Sequence, residues 1–175
     1  MTDWLSKDAS ERAAPILQAL GTYRSARRAL LEAIGCASSN RDPLAELSER
    51  LVAALLGAEL AQSRVQRGYD MTTGDGNRVQ VRYLANPPVQ WVNEHVVDFR
   101  GDCDRYALVV FVAFEIVAVL IFRKETIGRV CAALGKRHRD QDQTLQFGKR
   151  NLGQLLAMPD RGASLGVDIW TPLQG

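Results

Sequence analysis

The stretch Gly68-Tyr69-Asp70-Met71-Thr72-Thr73-Gly74-Asp75-Gly76-Asn77-Arg78-Val79-Gln80-Val81-Arg82-Tyr83 decides how this chain reads. It reads as two short strands joined by a tight turn. Thr73 to Asn77 supplies the turn chemistry, because glycine, Asp and Asn tolerate positive φ. From Arg78 to Leu84 the side chains alternate. Val79, Val81 and Tyr83 fall on one face, and Arg78, Gln80 and Arg82 on the other. Asp70 arrives from the strand before. One carboxylate, one amide and one guanidinium could therefore converge on a small volume, a geometry suited to a metal ion facing a phosphate.

Upstream, Asp42 caps a helix with Pro43 at its first position, a favoured arrangement. Leu44, Leu47, Leu51, Val52, Ala54 and Leu55 form its apolar side, and Gly57 marks its end. Glu46 and Glu49 lie three apart, with Glu46 in reach of Arg50. Downstream, Tyr106 to Phe122 is almost wholly apolar. It falls short of the ~20 residues needed to span a bilayer. Glu115 would also sit near the bilayer centre at a cost of roughly 2.5–3.5 kcal/mol. Two buried strands turning near Phe114-Glu115 is the better reading, with continuous apolar runs because helices cover both sheet faces.

An Asp, a glycine turn, then an acid-or-Gln/X/Lys triplet on a strand resembles the PD-(D/E)XK nuclease superfamily, the restriction-endonuclease-like fold. The Gln form of the triplet resembles the Mrr-like branch. The likeness extends to Pro43–Gly57, similar to the family's first core helix, and to Asp104–Val112, similar to the following core strand. It covers roughly residues 40 to 130. The chain departs from the family at two places: Gln80 stands for the central acid and Arg82 for the lysine.

The resemblance implies an α/β fold with a central mixed sheet flanked by helices, in a single domain. A helical extension would cover 9–40, the nuclease-like core 41–130 and a C-terminal elaboration 131–175. It implies a catalytic set of Glu49, Asp70, Gln80 and Arg82. One Mg²⁺ (or Mn²⁺) would be held by Asp70, Glu49, Gln80 and the Val81 carbonyl. It also implies a Mg²⁺-dependent endonuclease hydrolysing DNA, possible action on RNA, and a homodimer. An arginine stays protonated and cannot be a general base, but it can stabilise negative charge and grip phosphate bidentately. The variant triplet thus leaves three expectations open: a weak or inactive nuclease, a decayed nucleic-acid-binding protein of the same fold, or a structural or partner-binding module.

Net charge is +2, so any basic footprint for nucleic acid must be local. Arg24, Arg27 and Arg28 cluster on an N-terminal helix expected over 9–35, which Gly21 could interrupt. Lys136, Arg137, His138 and Arg139 form the most basic run. Lys149 and Arg150 precede a helical segment from Asn151 to Ala157, stopped by Pro159. Arg27, Arg28, Lys136, Arg137, Arg139, Lys149 and Arg150 are the candidate nucleic-acid contacts. Each also reads as a solvated surface charge.

Cys36, Cys103 and Cys131 are odd in number and share no metal-ligand spacing. A reduced, cytoplasmic compartment and buried thiols are expected. No Walker loop, dinucleotide fingerprint or zinc spacing is present. Val89 to Phe99 reads as an edge segment or a loop over the site. Glu94-His95 within it could be catalytic, although a lone His beside a Glu is more often structural or exposed.

Overall fold

The computed structural model describes residues 7–61, 68–135 and 142–172. The chain divides into two compact units, Met1–Leu47 and Ser48–Gly175.

In the first unit, α1 (Lys7–Ala33) runs through Pro15 and Gly21 without a break. A single glycine costs about 1 kcal/mol in a helix, too little to divide one this long. Its apolar residues at three-to-four spacing are largely open: Ile16 is 71% and Leu17 63% exposed. The helix closes where Gly35 takes φ 70° and Cys36 N–H donates to the Leu31 carbonyl at 2.8 Å. Arg27 Nη2 then donates to the carbonyls of Ser39 and Arg41, 2.9 Å each, and holds the loop that leads to Asp42. Asp42 Oδ1 accepts the Leu44 N–H at 2.7 Å, the cap expected for α2 (Pro43–Leu56). Glu46 is buried. It accepts the Ser39 hydroxyl at 2.7 Å and lies 3.6 Å from Arg41.

The second unit is built on a six-stranded sheet. Its strands are β1 (Glu59–Leu60), β2 (Met71–Thr72), β3 (Arg78–Asn86), β5 (Arg105–Val112), β6 (Glu115–Arg123) and β8 (Asp168–Trp170), side by side in that order. β4 (His95–Asp98) and β7 (Thr144–Phe147) form a separate antiparallel ladder. Among the described residues only β3 and β5 pair in parallel, and every other pairing in the sheet is antiparallel. The sheet is therefore mixed, as expected. A parallel pair needs a crossover connection, and here that connection carries β4.

The β2–β3 turn closes as its composition requires. Thr73 Oγ1 bonds the Asp75 carboxylate and accepts the Asn77 N–H at 3.1 Å, while Gly76 takes φ 83°. The Thr73 hydroxyl, then Asn77, and more weakly Arg105 hold the Asp75 carboxyl down at about 2. The apolar run from Tyr106 to Phe122 is the β5–β6 hairpin, and its turn is Ala113–Phe114. No helix among the described residues is long and apolar enough to cross a membrane.

Cross-strand partners share a face, so Gln80 stands with Tyr106, and Arg82 with Leu108. On that face Leu84, Tyr106, Leu108, Val110, Leu120 and Phe122 join one apolar core with Val97, Phe99, Leu145 and Phe147 of the β4–β7 layer. Two helices complete this core. They are α3 (Ile127–Leu134), entered through a 3₁₀ turn at Lys124–Thr126, and α4 (Lys149–Ala157). Buried Asn151 joins the two: its Nδ2 donates to the Leu134 carbonyl at 2.7 Å and its Oδ1 accepts the Gly148 N–H at 2.9 Å. Pro159 ends α4 as expected, but it also starts α5 (Pro159–Leu165), since proline is favoured at the first helical position. Cys36, Cys103 and Cys131 are all buried and unbonded to one another.

Candidate functional site

β2 is only two residues long, so β3 outruns it. Its register ends at Met71 opposite Val79, and Asp70 N–H donates to the Val79 carbonyl at 2.8 Å. The Asp70 carbonyl in turn accepts Ala61 N–H at 2.9 Å. The next peptide of β3 therefore faces no strand on that side, and the Asp70 side chain serves it instead. Asp70 Oδ2 accepts Val81 N–H at 2.7 Å and the Gln80 amide, with Arg82 Nη1 at 3.4 Å. Arg82 Nη1 also donates to the Val81 carbonyl at 2.7 Å. Both ends of the Val81 peptide are thus held by side chains: the N–H by a carboxylate, the C=O by a guanidinium.

Asp70, Gln80 and Arg82 are accordingly brought together, the convergence the strand alternation anticipates. They differ in access. The Gln80 side chain is buried, that of Asp70 is 20% exposed and that of Arg82 49%. Glu49 is half-buried on α2, and the hydrogen bonds that gather the other three do not include it. Among the described residues, no three His, Cys, Asp or Glu side chains gather as a metal-binding group.

The donor set can be tested against a dication directly. Mg²⁺ takes six oxygens at about 2.0–2.1 Å and favours carboxylates. Here Asp70 Oδ2 and the Val81 carbonyl both accept from Arg82 Nη1, so a fixed positive charge already lies between them. Gln80 presents its NH₂ to Asp70 rather than its carbonyl. In this arrangement the cluster does not fit a metal ion. It fits only after Arg82 leaves and the Gln80 amide turns over.

Two further side chains belong to the same locale. Tyr106 neighbours Gln80 across the parallel ladder, and its hydroxyl lies 2.6 Å from His95 Nε2. His95 comes from β4, in the layer packed over this face. Burial first, then the charge of Arg82, lowers the His95 pKa; burial raises that of Tyr106 above the ordinary phenol range. Tyr106 thus keeps its proton and His95 is neutral near pH 7. The sequence offered no spacing signal for this pair, because it depends on the β3–β5 register and on the position of β4.

Of the basic candidates, Arg27 serves its loop, as described, and Arg28 is exposed on α1. Lys136, Arg137 and Arg139 lie outside the described residues. Lys149 and Arg150 are exposed at the start of α4. They line a groove of about 570 Å³ with residues 89–94, Leu134, Gln146, Gly148 and Asn151.

Comparison with protein-family models and with curated proteins finds no match to this chain.

Proposed function

We propose that the chain is a restriction-endonuclease-like protein whose Asp70–Gln80–Arg82 centre engages backbone phosphate of nucleic acid, DNA first, with hydrolysis weak or absent. One observation carries this reading: Arg82 Nη1 sits between Asp70 Oδ2 and the Val81 carbonyl, where a metal-dependent centre needs its dication. Arg82 has half its side chain in solvent. It can offer its remaining N–H groups to a phosphate, while Asp70 fixes its position and Tyr106 and His95 bound the site. Recognition of this kind needs no metal. Lys149 and Arg150 would add sequence-independent contacts. A homodimer is part of the proposal, with the exposed Ile16, Leu17, Leu20 and Tyr23 of α1 as the first surface to alter.

The test is binding of a labelled DNA duplex and single strand in EDTA, with a salt titration. Salt-dependent binding that persists in EDTA and is lost in Arg82→Gln supports the reading. Binding that requires a divalent ion, or that Arg82→Gln leaves unchanged, refutes it.

The second reading keeps Mg²⁺ or Mn²⁺ and an active endonuclease. It is favoured by the same convergence, since Asp70, the Gln80 amide and the Val81 carbonyl would supply oxygen ligands if Arg82 swung outward, with Glu49 as the expected second carboxylate. In that case Arg82→Lys should raise divalent-dependent cleavage and Asp70→Ala should abolish it.

A further inference from the structure

The groove beside α4 has features that the phosphate centre does not use. Trp91 is half-buried, packs on one side against the main apolar core, and lines the groove with the rest of its surface. Lys149 and Arg150 line it as well, with Gln90, Asn93 and Gln146. The volume of about 570 Å³ falls within the ~300–1,000 Å³ of ordinary small-molecule sites.

The wall that carries Trp91 is preformed. Asn86 is buried at the end of β3, and its Oδ1 accepts the N–H groups of Val92 at 2.9 Å and Asn93 at 2.8 Å. Its Nδ2 donates to the Asn93 carbonyl at 3.2 Å, and Asn93 Nδ2 donates back to the Ala85 carbonyl at 2.8 Å. Residues 92 and 93 are therefore fixed to the same strand that carries Arg82. His95, two residues on, meets Tyr106 and senses the Arg82 charge. The groove and the centre thus share one strand and one following segment.

The lining has one carboxylate, Glu94. It accepts the Gln146 amide at 2.8 Å, and its Oε1 lies so close over Gly148 that an added Cβ would meet it at 2.9 Å. Glu94 so covers the entry to α4, and Lys149 and Arg150 are the cationic side chains of the lining. Its remaining acceptor capacity matches the exocyclic amines of a nucleobase.

We propose that this groove is a subsite for one nucleotide of a single strand, with the base on the Trp91 indole and the backbone phosphate on Lys149 and Arg150. It rests on the phosphate-binding reading of the neighbouring centre and extends it. A base can reach an aromatic face only when it is unstacked, so the ligand class is single-stranded or locally opened nucleic acid. The stacked base adds affinity without sequence dependence, and the two cations add salt dependence.

The experiment is anisotropy titration of a labelled short oligothymidylate, and of the same length of duplex, against the full chain in EDTA. Trp91→Ala should weaken the single strand roughly tenfold or more, and Trp91→Phe, which keeps an aromatic ring, should restore most of it. Lys149→Gln with Arg150→Gln should lower the salt slope by roughly 1–2. Thermal melts confirm that each variant folds; should Trp91→Ala not fold, the surface double variant and Trp91→Phe still decide. Equal affinity for the single strand in Trp91→Ala and in the double variant overturns the proposal, as does preference for the duplex. Arg82→Gln separates the two readings. Binding lost in Arg82→Gln alone leaves the centre standing and removes the groove; binding lost only in the groove variants does the reverse.

Discussion

The Tyr106 hydroxyl lies 2.6 Å from His95 Nε2, joining the main sheet to the β4–β7 layer beside Arg82. Burial, then the Arg82 charge, makes the imidazole harder to protonate in the folded state than in the unfolded chain. The unfolded state therefore binds the extra proton more readily below an unperturbed pKa of about 6.5. Stability from this group is complete above that pH and falls as pH drops toward the lower folded-state value. His95→Gln should flatten this part of the acid loss. Denaturant midpoints at pH 7.5 and pH 5 measure it; an unchanged difference between the two would show that His95 carries none of the effect.

Asp70 should be structural as well as functional. Its Oδ2 accepts the buried Gln80 amide and the Val81 N–H. Removing the acceptor leaves both donors without that partner, and a buried unsatisfied donor costs about 1–3 kcal/mol. Asp70→Ala should lower unfolding free energy by that order in urea, whereas Arg82→Gln, half in solvent, should change it by less than about 1 kcal/mol. Equal losses in the two variants would contradict the arrangement.

The β5–β6 turn is built from residues poorly matched to it. Ala113 and Phe114 take φ 52° and 65°, the left-handed region, and Phe114 is 81% exposed. Such a conformation costs a non-glycine residue roughly 1–2 kcal/mol. Ala113→Asn with Phe114→Gly supplies the residues such two-residue turns prefer. The pair should raise unfolding free energy by about 1 kcal/mol, seen as a higher melting temperature. A lower one would mean that Phe114 makes a stabilising contact larger than the backbone cost.

Gly166 ends α5 at φ 79°, and an added Cβ would stand 2.7 Å from Thr126 Cγ2. Gly166→Ala should therefore destabilise by roughly 1–3 kcal/mol, from strain and crowding together. Gly153, inside α4 with nothing within 4 Å of its virtual Cβ, is the control. Gly153→Ala should be neutral or stabilising by up to about 1 kcal/mol. Calorimetric melts of the two variants should move in opposite directions or differ clearly.

Local chemistry was legible where neighbours in sequence are neighbours in space. The Thr73–Asn77 turn, the alternation of β3, the Asp42 cap and the apolar hairpin each follow from a few adjacent residues. The meeting of Asp70, Gln80 and Arg82 was legible for the same reason, since one tight turn separates them. The β4–β7 ladder was not. Thr144–Phe147 reads as a short strand, but its pairing with His95–Asp98 depends on how the crossover folds back, which no period encodes. For that reason Tyr106 and the tie to His95 stayed hidden, and Val89–Phe99 stayed ambiguous: its first half is irregular chain pinned by Asn86 and its second half is β4. The helix α1 was legible from its spacing, but the cover of its apolar face was not. Three-to-four spacing identifies a helical face, but it does not say that the face is covered, and Ile16 and Leu17 are not.

The six-stranded sheet is bounded by short strands with exposed positions: Glu59–Leu60 at one margin and Asp168–Trp170 at the other. Those two strands are poor templates for a foreign chain to extend, but β3 runs on past β2 and leaves a longer margin beyond Val79. There the Asp70 carboxylate takes the Val81 N–H and the Arg82 guanidinium its C=O, so the side chains of the candidate centre also blunt the margin against edge-to-edge pairing.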